Sequence, residues 1–163
     1  MSRRIEELLK SYPEMVQKRN CLAYQLAHFK GLSAEEVIES MYTPRQDGER
    51  VQTSALSDKT AQIAMVYRER QERMNREWYG YLEAQLKALN DELVFLEAAL
   101  ASLSGILPEF MRDLVIDHMT WDALERKYHI SRFTVSTYRK KAISELEARY
   151  AERDQEMMAF LLK

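Results

Sequence analysis

Six cations stand close together near the end of the chain: Arg126, Lys127, Arg132, Arg139, Lys140 and Lys141. No Asp or Glu interrupts the stretch from Arg126 to Ser144, although the 163-residue chain carries a formal net charge of −2. The positive charge is concentrated rather than spread. Clustered Lys and Arg release the counterions condensed on a polyphosphate, so the chemistry this pattern suits is nucleic-acid binding. The alternative is a helical hairpin whose basic face is simply solvated.

The elements that must position these cations can be read from the neighbouring residues. Thr120 is placed to cap one helix and Ser131 a second. Ile130 and Val135 have the spacing of a hydrophobic staple around Ser131, and Met119 and Leu124 repeat it around Thr120. Two short helices joined by a tight turn, the second one basic, form the arrangement that lays a helix in the major groove of duplex DNA. Val135, Tyr138 and Ala142 recur at helical spacing and are expected to face the core. The opposite face then carries Phe133, Ser136, Thr137 and Lys140, with Arg132 at its N-terminal end. Arg132 suits a bidentate bond to guanine, and Phe133 or the Thr137 methyl suits a thymine methyl. Arg126, Lys127, Arg139, Lys140 and Lys141 are expected on phosphates.

From Leu107 to about Tyr150 the chain resembles the region-four domain of bacterial sigma factors. That pattern is an apolar helix, a Thr/Ser-x-x-Glu-Ile-Ala segment, a Gly-Ile-Ser turn and a recognition helix containing Thr-Val. Leu124 takes the Ile place, Ile130-Ser131 the Ile-Ser place and Thr134-Val135 the Thr-Val place. The whole chain is similar in layout to small sigma-like transcription regulators of Firmicutes and their prophages. To that layout belong the stretch Asp47-Gly48-Glu49-Arg50-Val51-Gln52 and Ser57-Asp58-Lys59-Thr60. The resemblance implies a regulator that reads a promoter element through Arg132, Phe133, Ser136 and Thr137 and contacts RNA polymerase. No region two is recognisable, so promoter melting is not implied. Glu125 stands where the family has a small Ala at the helix–helix contact, and must turn outward, pair with a cation or force the helices apart. His129 stands where the turn has Gly, at a position of positive φ, which His tolerates better than most residues. Phe133 stands where the family often has an acidic or polar residue, so the sequence read should differ.

The composition is rich in helix formers, with only four Gly and three Pro, and predicts an all-α fold with almost no strand. The single cysteine, Cys21, excludes an internal disulfide and fits a reducing compartment; its neighbours Leu22, Leu26 and Phe29 predict a buried structural thiol. The N-terminus lacks a signal-peptide core, and Val94 to Leu107 is interrupted by Glu97 and too short to span a bilayer. A soluble, cytoplasmic protein without membrane contact is expected. His28, His118 and His129 are far apart and give no metal-site spacing with one another or with Cys21. There is no glycine-rich phosphate loop and no nucleophile elbow. Acidic pairs such as Glu6-Glu7 and Glu35-Glu36 read as solvated helix surface. No enzyme activity, metal or cofactor is expected.

The expected organisation is a helical coiled-coil or assembly region over 1–104 and a helix-turn-helix module with a C-terminal helix extension over 105–163. A first helix runs from about Ser2 to Lys30, with Pro13 a break, a kink or a second start, and Gly31 closing it. Ser33 and Glu36 form a capping box, with Leu32 and Val37 its staple. A loop is expected over 42–55. A long helix follows from about Ser57 to Leu103, carrying Leu82, Leu86, Leu89, Leu93, Leu96, Leu100 and Leu103 in alternating steps of four and three. A parallel homodimer on this seam sets Glu92 against Glu97 of its partner, which repels. Packing against the chain's own N-terminal helix as an antiparallel hairpin is favoured, with an antiparallel dimer the alternative, so monomer and homodimer both stay open. Trp78, Tyr79 and Tyr81 on the long helix read as core. Pro108 starts a helix to about His118 with Phe110, Leu114 and Val115 inward. Met157, Met158, Phe160, Leu161 and Leu162 form an apolar end that either folds back or meets a partner. With its own caps and staples, 104–163 is expected to fold and bind DNA alone. Two other functions fit the same features: a phage DNA-packaging recognition subunit of the small-terminase kind, which assembles as a ring, and a helical adaptor that binds no DNA.

Overall fold

The computed structural model describes residues 2–33, 35–37 and 56–163, and all regular structure among them is helical. In chain order the helices are α1 (Ser2–Ala27), α2 (Leu56–Ala101), α3 (Leu107–Met111), α4 (Trp121–Tyr128) and α5 (Arg132–Leu161), with a π-helical turn over Arg112–Ile116 prolonging α3. The loop expected over 42–55, with the stretch Asp47 to Gln52, lies outside the described residues. Among those described, no helix is long and apolar enough to cross a membrane.

The chain divides into two compact units, one made of Met1–Asn20 with Ala88–Lys163 and the other of Cys21–Lys87. The boundary expected at residue 104 is therefore not where the packing divides. In the first unit one core takes Ile5, Leu9 and Tyr12 from α1, and Leu93, Leu96 and Leu100 from α2, with Leu103 just after it. Ala99, Leu107, Phe110, Met111, Val115, Leu124, Val135, Ala142, Ile143, Leu146 and Tyr150 complete it. Of the heptad leucines, Leu93, Leu96, Leu100 and Leu103 are thus spent on the same core that supports the basic helix, while Leu82 and Leu86 belong to the second unit. Full burial of each such leucine contributes roughly 1.5–3 kcal/mol.

Polar contacts hold α5 in the same unit. The Ser104 N–H and hydroxyl both donate to the Glu145 carboxylate, at 2.9 and 2.5 Å, and hold that carboxyl below its ordinary range. Arg153 donates to Glu92 at 2.8 Å and lies over the rings of Phe95 and Tyr150, 4.4 and 4.5 Å from their centres. Arg4 of α1 donates to Asp154 at 2.9 Å. The Tyr12 hydroxyl donates to Glu97 at 2.8 Å. Its own pKa is pushed up to about 12 by burial and by that carboxylate. Glu92 and Glu97, the two charges that argue against a parallel dimer, are thus both engaged inside the unit. Pro13 neither breaks nor ends α1; it is absorbed within the helix.

In the second unit, the turn after α1 is set by Gly31, at φ 76°. An added Cβ there would lie 2.7 Å from the Asn75 amide. That close approach lets Asn75 Oδ1 accept from the Leu32 N–H at 2.7 Å, while Gln71 donates to the Leu32 carbonyl at 3.1 Å. The capping box forms as expected: Ser33 N–H donates to Glu36 at 2.8 Å and Glu36 N–H to the Ser33 hydroxyl at 3.2 Å. Two expectations fail here. Cys21 is exposed, because one residue along a helix is about 100° of rotation and its neighbour Leu22 takes the buried face. Trp78, Tyr79 and Tyr81 are exposed rather than core; on that helix Leu82 takes the buried position. Trp78 and Tyr81 stack on each other at 5.7 Å, and Phe29 meets Tyr79 edge-on at 5.2 Å.

Candidate nucleic-acid interface

The turn between α4 and α5 is specified at both ends by local chemistry. Thr120, in extended backbone, accepts from the Ala123 N–H through its hydroxyl at 3.2 Å and starts α4. His129 ends α4 in the left-handed region, at φ 53° and ψ 45°. Its N–H and that of Ile130 both return to the Glu125 carbonyl, satisfying the orphan acceptor of a helix end. Ser131 accepts from the Thr134 N–H at 3.3 Å and starts α5. Each such cap is worth roughly 1 kcal/mol. Leu124 and Val135 are fully buried, and Met119 and Ile130 pack against the same core. Glu125, half-buried, does not force the helices apart.

The first turns of α5 present the expected stripe. Arg132, Phe133, Thr137 and Lys140 are exposed, and Ser136 is half-buried beside Val135. Phe133 is 81% exposed, an unusual state for a large aromatic side chain. The Thr137 hydroxyl donates to the Phe133 carbonyl at 3.0 Å. The inward face is Val135, Ala142, Ile143 and Leu146. Tyr138 is half-buried and meets Phe110 edge-on at 5.5 Å.

The five expected phosphate ligands separate into two groups. Arg126, Lys140 and Lys141 are exposed, and among the described residues none of them makes an ion pair. Arg139 and Lys127 are different. Arg139 is half-buried and lies 3.8 Å from Glu6 of α1. It follows Val135 by four residues and precedes Ala142 by three, which carries it to the flank of the buried stripe. Lys127 donates to Asp113 at 2.6 Å, with Glu109 3.8 Å away.

Asp113 is the residue that sequence reasoning missed. It is the buried charge of the π-turn, its side chain only 8% exposed. The π-turn is closed by the Asp117 N–H bonding to the Arg112 carbonyl at 3.0 Å, and the Asp113 carbonyl accepts from Met119 at 2.9 Å. The Asp113 carboxylate accepts from Lys127 and from the Tyr128 hydroxyl at 2.5 Å. Burial alone would raise this carboxyl, but those two hydrogen bonds outweigh it and hold it below the usual carboxylate range. In turn the carboxylate raises Lys127, while burial, reinforced by Asp113, raises Tyr128. The Arg112-Asp113 pair interrupting the otherwise apolar stretch Phe110 to Ile116 was the available signal. Two further partners were also missed: Arg132 donates to Asp122 at 3.4 Å, and its guanidinium carbon lies 5.5 Å from the centre of the Trp121 ring.

At its far end α5 carries Met157, Met158, Phe160 and Leu161, with Leu162 just after it, all at least 50% exposed; of the two expected fates, folding back is not seen. Among the described residues no group of three His, Cys, Asp or Glu side chains has the closeness to hold a metal ion. Compared with protein families, with curated proteins and with solved structures, the chain matches none of them.

Proposed function

We propose that the α4–turn–α5 segment is a helix-turn-helix and that the chain is a sequence-reading DNA-binding regulator of transcription, similar to sigma region four. The observation that carries the reading is the outward stripe at the start of α5. Short or planar side chains at Arg132, Phe133, Ser136 and Thr137 are flanked by exposed cations at Arg126, Lys140 and Lys141. That combination supplies base contacts inside a frame of phosphate contacts. Lys127 and Arg139 are reassigned as braces of the fold, because each already has a carboxylate within the chain. Contact with RNA polymerase is part of the proposal and is supported by the resemblance. The long Leu-rich helix and α1 then serve as the scaffold of the reading head.

The test is selection from a random-sequence duplex pool, followed by titration of the selected duplex at several salt concentrations. A recovered consensus and a linear loss of affinity with log salt are expected. Recovery of no consensus and no salt dependence would leave an adaptor without DNA function. Retention of core polymerase by the tagged chain checks the second partner. The exposed apolar end of α5 favours a second reading, a packaging-recognition subunit that assembles through it. A solution mass of eight or more chains would select that reading.

A further inference from the structure

We propose that Asp122 is a positioning residue for specificity: with Trp121 it holds the Arg132 guanidinium ready for guanine, and its charge disfavours phosphate at the same place. The inference rests on the DNA-binding reading above. Asp122 and Trp121 open α4, directly after the Thr120 cap, and Arg132 opens α5, directly after the Ser131 cap. The turn brings these two helix starts together. Trp121 is half-buried and packs on the core, so it is a fixed platform, and the guanidinium lies over it. Arg132 Nη1 donates to Asp122 Oδ1. Arginine has five N–H donors in a rigid fork. One bond from Nη1 leaves the edge formed by Nη2 and Nε available, which is an edge that matches guanine O6 and N7. A side chain held this way loses less rotamer freedom when it meets the base.

The same pair acts against the wrong sequence. Where no guanine is offered, the natural alternative partner of Arg132 is a phosphate. Reaching it costs the Asp122 and Trp121 contacts and leaves the carboxylate beside a second anion. Both charges are about two-thirds exposed, 68% and 65%. An ion pair so exposed does little for folding, which separates its effect on recognition from any effect on stability.

The experiment uses the full chain, a duplex selected by the unaltered protein from a random pool, and a scrambled duplex of equal length and base composition. Asp122→Asn keeps the size of the side chain and removes its charge. Binding to the selected duplex should weaken about fivefold and binding to the scrambled duplex should tighten about twofold. The ratio then falls about tenfold, within the roughly 5–150-fold that a bidentate Arg–guanine contact commands. Equal weakening on both duplexes would mean that Asp122 only supports the start of α4, and would overturn the proposal. Equal tightening would mean plain repulsion of DNA, and would also overturn it. In an Arg132→Ala background, Asp122→Asn should leave the ratio unchanged. A further fall there would show that Asp122 acts without Arg132. If the unaltered chain selects no duplex at all, the DNA-binding reading fails first and this inference with it.

Discussion

Asp113→Asn probes the buried carboxylate that ties the π-turn to the end of α4. The carboxylate accepts two hydrogen bonds, from Lys127 at 2.6 Å and Tyr128 at 2.5 Å. Both bonds fall on the same oxygen, Oδ2, so an asparagine with its amide oxygen in that place still accepts from both, but as a neutral acceptor. The loss is the charge assistance of these bonds in a nearly dry site, in the range of about 1.5–3 kcal/mol. The lower half of that range applies, because Lys127 is 42% exposed and can turn to water or to Glu109. No buried unpaired charge is left behind. A loss of about 1.5–2 kcal/mol corresponds to a fall in Tm of roughly 3–8 °C for a chain of this size. The pH dependence has a definite sign. The folded-state pKa of Asp113 is lowered, so its contribution is complete above the ordinary carboxyl value near pH ~4. It disappears as pH falls through the lowered value. Urea unfolding of both proteins at pH 7 and at successive acid steps measures the difference. The curves should stand apart at neutral pH and converge in acid. Identical stability at pH 7, or a gap that widens in acid, would refute the pairing.

Arg132→Ala is expected to weaken binding to the selected duplex by roughly 1–3 kcal/mol and to relax selection at one base position, measured by repeating the selection with the variant; equal loss on all sequences would deny a base-reading role. Lys140 and Lys141 changed together to Ala should lower affinity on every duplex and reduce the log–log salt slope by roughly 1.8; an unchanged slope would place both away from phosphate. Lys127→Ala should lower stability and leave that slope alone, which a urea titration and a salt series on the same sample decide. The fragment 104–163 is expected not to fold by itself, reversing the expectation from its caps, because it leaves behind Ile5, Leu9, Tyr12, Leu93, Leu96, Leu100 and Leu103 of its core; a cooperative melt of that fragment would show the local caps to be sufficient.

The features legible from sequence were those in which a few neighbouring residues settle the matter. The Thr120 and Ser131 caps, the left-handed His129 and the capping box of Ser33 and Glu36 each depend on side chains within four positions. Their hydrogen bonds form in the structure at those positions. Periodicity likewise named the inward face of α5 through Val135 and Ala142, and the buried leucines of α2. What it did not carry was the identity of the surface that covers each face. Charge clustering counted Lys127 and Arg139 as free cations, yet Asp113 and Glu6 claim them from fourteen and 133 residues away along the chain. An apolar neighbourhood in sequence made Cys21 and Trp78 look internal, yet each lies off the one stripe that a partner helix reaches. The unit boundary is of the same kind. Caps and staples delimit a helix pair, but a pair this small cannot bury its own apolar surface. Tertiary packing therefore decided that the basic helix shares its core with the first helix and the Leu-rich helix, because helix ends are chosen by local hydrogen bonding while burial is chosen by whatever distant surface arrives to exclude water.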